Sequence, residues 1–170
     1  MNIVHYTGDG MIIELADRTE ATVRTYFKKT QQAEIKKMLP QKARSAEEAV
    51  LDYKQTLLPG SKSFGRTILI DGTYVGDIWC YCIDKAETPN AMLSFCIFEK
   101  TQWNKGVASK AVSLFLREVN ERFRITTIGA FTFSDNMASQ KVLEKNGFAM
   151  IEEFAEDGKA SKYYQFSLMK

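Results

Sequence analysis

AMLSFCIFEKTQWNKGVASKAVSLFLREVNERFRITTIGAFTF, residues 91–133, changes its hydrophobic period twice. Residues 91–99 form an apolar run rich in strand formers, which predicts a strand. From Lys105 the period turns helical, and Val107, Ala108, Ala111, Val112, Phe115, Val119 and Phe123 make one apolar stripe. ITTIGAFTF, 125–133, then predicts a strand again. Strand, helix and strand in this order are parallel neighbours joined by a right-handed crossover, and such sheets gather ligands at the carboxyl ends of their parallel strands. The turn at that end reads Gln102-Trp103-Asn104-Lys105-Gly106-Val107-Ala108-Ser109. Gly106 and Ala108 bare the backbone where the first helical N–H groups have no intrahelical partner, so a phosphate can meet several donors together with the positive end of the helix. The alternative is that two small residues only permit close strand-helix packing. Neither GxxxxGK[ST] nor GxGxxG occurs here, which disfavours nucleoside triphosphate cradles and dinucleotide folds.

Downstream, Asp135 or Ser134 can cap a helix in NMASQKVLEKN, and Gly147 is placed to end it in a left-handed turn. FAMIEEFAE and SKYYQFSLM flank Asp157-Gly158 as a closing hairpin. Upstream, FGRTILIDGTYVGDIWCYCID predicts a hairpin turning at Asp71-Gly72. Before it come a strand over Met11–Ala16, then a helix with Val23, Phe27, Ile35 and Met38 at roughly helical steps, stopped by Pro40. A second helix is capped by Ser45 with Glu48 three residues on, and ends at Pro59-Gly60. The expected order is strand, two helices, three strands, helix, strand, helix, two strands. This is an α/β (α+β) single domain over 1–170, with a mixed, mostly antiparallel sheet, a central parallel strand pair and flanking helices.

Composition narrows the function. The 170 residues are 45% hydrophobic and 26% charged, as expected of one domain with one core. Formal charge is +2, and residues 1–60, 61–110 and 111–170 carry +1, +1 and 0. No long-range field holds nucleic acid or an anionic membrane, so any anion must be caught locally. Lys28, Lys29, Lys36 and Lys37 alternate with Gln and Glu and read as a solvated helix face. Three cysteines and one histidine make neither a disulfide framework nor a zinc site, and Cys80 and Cys82, two apart on one strand, are expected to share a face as half-buried thiols. His5, alone and near a terminus, makes a Ser-His-Asp engine unattractive. With no signal-like start and no apolar run of about 18 residues, a reducing cytoplasm is the expected compartment.

WNKGVASKAV resembles the acetyl-coenzyme A signature (Q/R)xxGx(G/A) of the GNAT N-acetyltransferase superfamily, with Trp103, Gly106 and Ala108 in its three fixed places. Trp in the first place departs from Gln or Arg, and is found in the branch similar to the ribosomal-protein alanine acetyltransferases. Asn136 to Phe148, NMASQKVLEKNGF, is similar to that family's NxxSxxVLEKxGF segment. The resemblance covers residues 64–155. It implies a GNAT-like fold in which 1–60 shapes the acceptor side, 64–155 binds acetyl-CoA and 156–170 closes the sheet.

By the same resemblance, an acetyl group passes from acetyl-CoA, with no metal, to a small-molecule amine or a protein N-terminal amine in a ternary complex. The N–H groups of Trp103, Asn104, Lys105, Gly106, Val107 and Ala108 would hold the pyrophosphate, with Lys105 helping. The pantetheine arm would pair with backbone near Cys96 and Phe98, and an N–H near Phe98 would polarise the thioester. Many members place a Tyr acid where this chain has Leu143; Ser139, one turn earlier, is the substitute, or else its hydroxyl bonds the preceding turn. Asn136 would contact the cofactor or only cap its helix. Glu99 and Asp77 are the candidate bases. The acceptor would enter around Leu39–Arg44 and Glu156–Ser161. A monomer or homodimer is expected, without nucleic acid or membrane. A catalytically idle acyl-CoA-binding or sensing module is the alternative, motivated by the absent Tyr.

Overall fold

A computed structural model describes residues 2–7 and 10–168. In chain order it contains β1 (Ile3–Tyr6), β2 (Ile12–Asp17), α1 (Glu20–Lys29), α2 (Ala33–Met38), α3 (Ala46–Thr56), β3 (Phe64–Ile70), β4 (Thr73–Asp84) and β5 (Asn90–Ile97). A 3₁₀ turn (Lys100–Gln102), α4 (Val107–Phe123), β6 (Thr127–Phe133), α5 (Met137–Lys145), β7 (Ala149–Glu156) and β8 (Lys159–Ser167) follow. One sheet runs β1-β2-β3-β4-β5-β6-β8-β7, antiparallel at every pair except β5–β6. The mixed sheet with one parallel pair is the expected architecture.

Three local expectations are corrected. The four residues of β1, too short to carry a strand pattern, pair with β2 from Ile3↔Leu15 to Tyr6↔Ile12. The helix expected as one piece before Pro40 breaks at Thr30, a buried residue whose hydroxyl donates to the Tyr26 carbonyl at 2.7 Å. Gln31 and Gln32 cap the Phe27 and Lys29 carbonyls, so side chains satisfy the end of α1 and a separate α2 begins. Cys80 and Cys82 do not share a face. The register of β4 on β5 shifts between Tyr81 and Asp84, Cys82 takes φ +51° and turns to solvent, and Cys80 stays buried.

The core is the expected helical stripe set on the sheet. Ala111, Val112, Phe115 and Val119 of α4 are fully enclosed against Leu15, Ile68, Ile78, Leu93 and Ile128. Each such side chain contributes roughly 1.5–3 kcal/mol on leaving water. The parallel pair fixes where the sheet opens. β5 and β6 are in register only from Asn90↔Thr127 to Met92↔Gly129; beyond this, Leu93–Ile97 follow β4 and Ala130–Phe133 follow β8. A notch with two bare strand edges results.

One ion pair crosses the core. The Arg66 guanidinium on β3, 1% exposed, is gripped by both oxygens of Glu118 on α4, with Nε at 2.9 and 3.2 Å, and reaches Asp17 on β2. Glu118→Ala removes the buried carboxylate that grips this cation. The expected loss is about 3 kcal/mol in urea unfolding, and a loss under about 1 kcal/mol would mean the pair is dispensable.

Candidate active site

The notch opens into a cleft of about 1780 Å³ lined by α1, α3, the ends of β5 and β6, the turn before α4, and α5. The turn has the backbone geometry that suits an anion. Asn104 and Gly106 adopt φ +62° and +77°, and Gly106 caps α4 without a side-chain bond. Trp103 donates its own N–H to the Lys100 carbonyl at 3.1 Å, so it is not one of the free donors. The amides of Asn104, Lys105, Gly106, Val107, Ala108 and Ser109 have no partner among the described residues, and the next amide, Lys110, bonds Gly106. Alternating left- and right-handed backbone gathers such N–H groups into one concavity, and the helix dipole adds to it. The close-packing alternative for Gly106 fails, because a Cβ there would meet nothing within 4 Å.

The cations are arranged differently from expectation. Lys105 is not among the residues lining the cleft and lines a separate small hollow with Gly10 and Asp71. Lys141 and Lys145 of α5 line the cleft instead. Asn146 ties the two helices together, since its Nδ2 donates to the Ser109 carbonyl at 3.2 Å and so sets the end of α5 beside the start of α4. The helical spacing of these lysines was visible in the sequence, but not the helix contact that turns them to the site.

On β5 the main-chain assignment moves by one residue. The Phe98 N–H already donates to the Val75 carbonyl at 2.9 Å, and Cys96 is registered on Asp77. Antiparallel pairing alternates, so Cys96 and Phe98 direct their backbone at β4 while Leu93, Phe95 and Ile97 direct theirs at the notch. Trp103 marks that edge: its indole N–H donates to the Ile97 carbonyl at 2.8 Å. Phe98 is buried outside the cleft lining, whereas the Cys96 side chain does line it.

The carboxylates proposed as bases are both committed. Asp77 is 1% exposed, held by Arg18 at 2.9 Å and by the Tyr74 hydroxyl at 2.6 Å. Burial pushes its carboxyl up despite these partners. Glu99 caps the 3₁₀ turn through Thr101 and does not line the cleft. Asn136, not Asp135 or Ser134, caps α5, its Oδ1 accepting from the Ser139 N–H at 3.2 Å. Ser139 lines the cleft and its hydroxyl bonds nothing among the described residues, so the back-bonded alternative is absent. Leu143, 1% exposed, fills the position four residues before Gly147.

Of the segments expected on the acceptor side, Leu39–Arg44 and Glu156–Ser161, residues Leu39 to Ala43, Glu156 and Ser161 reach the cleft. Its aromatic wall was missed. Tyr26 and Phe27 on α1, Tyr53 on α3, and Trp79 and Tyr81 on β4 line it; of these, the sequence reading placed only Phe27 in an apolar stripe. Tyr26 stands edge-on to Trp79 at 6.1 Å, and its phenol is held protonated by burial above all.

The family model described as "Acetyltransferase (GNAT) domain" matches residues 13–149. Among solved structures, a ribosomal-protein-S5-alanine acetyltransferase from Vibrio fischeri superposes with TM-score 0.78 at 13% identity, covering 97% of this chain and 96% of that one. The acetyltransferase from Salmonella typhimurium that modifies the N-terminal serine of ribosomal protein L7/L12 gives 0.77 at 17%, over 92% and 95%. Aminoglycoside acetyltransferase AAC(6')-Ib in complex with coenzyme A gives 0.77 at 14%, over 92% and 95%. At these identities the likeness speaks for the fold. No curated protein sequence matches the chain.

Thiol accessibility checks the cleft's interior. Burial pushes the Cys80 and Cys96 thiols up to about 12, while Cys82 is exposed. Iodoacetamide at pH 8 is expected to add one label to the native protein, at Cys82, and three after denaturation; labelling of native Cys96 would mean that wall is open.

Proposed function

This chain belongs to the GNAT acetyltransferase family, and on that premise we propose that it transfers an acetyl group from acetyl-CoA to a primary amine, by direct attack in a ternary complex. The observation that carries this reading is the run of unpartnered amides from Asn104 to Ser109 opening onto a notch with bare strand edges. Such a donor run fits a pyrophosphate, and such edges fit an amide-bearing arm.

In this reading the Asn104–Ser109 amides bind the pyrophosphate, and Lys141 and Lys145 add positive charge at the same end. An anion at a helix N-terminus gains about 0.3–1 kcal/mol from the dipole alone, up to roughly 2 when partly buried, and charge-assisted bonds add to that. The main chain of Phe95 and Ile97 takes the place first given to Cys96 and Phe98, pairing with the pantetheine amides and offering an N–H to the thioester carbonyl. A donor aimed at developing negative charge is worth on the order of 10²–10³ in rate. Holding two reactants in contact supplies much of the rest. Asn136 acts through α5, by holding the helix start that presents Ser139. Ser139 donates the proton taken by the departing thiolate. With Glu99 and Asp77 committed elsewhere, water in the open cleft removes the proton of the amine.

Gly106→Glu puts bulk and negative charge on the anion site and adds strain at φ +77°. Calorimetry is expected to find acetyl-CoA binding weakened about 100-fold or more, with near-native circular dichroism, since each tenfold is only 1.4 kcal/mol; unchanged affinity would misplace the site. Ser139→Ala is expected to lower kcat about 100-fold, as loss of a general acid does, with acetyl-CoA affinity within about twofold. Equal turnover would remove Ser139 as the acid. Tight binding by the wild-type protein without transfer to any amine would favour the idle acyl-CoA module instead.

A further inference from the structure

We propose that a basic strip bordering the cleft docks an acidic polypeptide, so that the amine acetylated is the N-terminus of a chain whose following residues are rich in Asp and Glu. This rests on the acetyltransferase reading above and names the class of molecule that brings the amine.

Residues 1–60 net only +1, yet 28–44 within them carry Lys28, Lys29, Lys36, Lys37, Lys42 and Arg44 against Glu34, a net of +5. The break at Thr30 distributes these cations. Lys28 and Lys29 close the last turn of α1, Lys36 and Lys37 that of α2, and Lys42 follows in the loop to α3. All five lysines are exposed, and none has an ion pair among the described residues. Glu34 does not offset them, because Lys100 takes its carboxylate at 2.7 Å. The acids that follow in sequence are also engaged, Glu47 with Arg24 at 3.1 Å and Glu48 with the Arg44 main-chain N–H. Arg44 therefore has a carboxylate beside it and is left out of the strip.

The same segment forms part of the cleft wall. Thr30, Ile35, Met38 and Lys42 line the cleft, and Ile35 is buried, while the other lysines stand in solvent on the outer side. Lys159 donates to the Lys37 carbonyl at 3.1 Å, which joins the closing hairpin to the end of α2; with Glu156 opposite Lys159 in the ladder, that pair adds no net charge to the strip. The cleft-lining acids without an ion pair among the described residues, Asp52, Asp135 and Glu156, belong to α3, the β6–α5 turn and β7. They lie outside the segment that carries the lysines.

Charge and chemistry together choose the partner. Exposed lysines spread over two helix ends and a loop favour several negative charges along a chain, and the same molecule must hold a primary amine in the cleft. Nucleic acid meets the first demand and fails the second, since its amino groups are conjugated with the bases and are weak nucleophiles. An acidic polypeptide meets both. A helix with its side chains is about 10–12 Å across, and an extended chain advances about 3.3 Å per residue. A chain leaving the cleft thus crosses the rim in about three or four residues, and carboxylates from about the third residue onward meet the lysines.

The test uses the full chain. Acetyl-CoA binding is measured first by calorimetry, and its absence overturns the acetyltransferase reading before any acceptor is added. Free thiol is then followed with three peptide pools, randomised at the first two positions and continued by Glu-Asp-Glu-Asp, Gln-Asn-Gln-Asn or Lys-Arg-Lys-Arg. An exposed ion pair is worth about 1.4- to 5-fold in affinity, and several compound. The acidic pool is expected to exceed the amide pool at least about tenfold in kcat/KM at about 20 mM salt, and the basic pool by more, with the gap shrinking at about 0.5 M. Lys36→Glu combined with Lys37→Glu is expected to raise KM for the acidic pool at least about tenfold, with kcat, acetyl-CoA affinity and thermal midpoint unchanged. Lys36→Arg combined with Lys37→Arg is expected to stay within about twofold, because the charge is kept. Equal rates for the three pools, a preference for the amide or basic pool, silence toward all three by a protein that binds acetyl-CoA, or an unaltered KM in the charge-reversed variant overturns the proposal. Binding of a single-stranded oligonucleotide that the acidic pool does not displace assigns the strip to nucleic acid and overturns it as well.

Discussion

Two parallel strands pair over three residues and then part, and the site depends on that parting. β5 and β6 hold register from Asn90↔Thr127 to Met92↔Gly129, after which each is claimed by its outer neighbour. On the β5 side the claim is close: a Cβ at Gly76 would lie 2.2 Å from the Cys96 carbonyl oxygen, so β4 approaches β5 as only glycine allows. Trp103 then caps the freed edge by bonding the Ile97 carbonyl. The bare edges cost backbone hydrogen bonds in the isolated protein, a debt that a ligand with its own amides can settle.

The same parting explains how a chain of formal charge +2 can hold a heavily charged ligand. Bulk attraction is absent. In its place stand six consecutive amides without partners among the described residues, one helix end and two lysines brought in by α5. None of the first two contributes to a charge count. Elsewhere in the cleft lining, Arg18 is paired with Asp77 and Glu34 with Lys100.

Much of this was legible in the chain because hydrophobic period, turn chemistry and small residues are local signals. Asp71-Gly72 and Asp157-Gly158 turn their hairpins in left-handed backbone as their residue types require, and Gly106 opens α4 where the motif puts it. What escaped was set by partners distant in sequence. Asp77 looks like a free carboxylate until Arg18 and Tyr74 reach it, the Phe98 N–H looks like a free donor until the phase of the β4–β5 ladder is known, and Lys105 looks like a cleft cation until the fold seats it in another hollow. Phe27 read as core because a cleft wall and a core wall have the same periodicity. The break at Thr30 depended on one hydroxyl choosing the carbonyl four residues back.

Diffraction from crystals of the complex with coenzyme A tests the account most directly. The pyrophosphate oxygens are expected within hydrogen-bond distance of amides between Asn104 and Ser109, with the pantetheine amides paired to the main chain of Phe95 or Ile97. A pyrophosphate bound elsewhere, or an arm paired to Cys96 and Phe98 after rupture of the Phe98–Val75 bond, would contradict it.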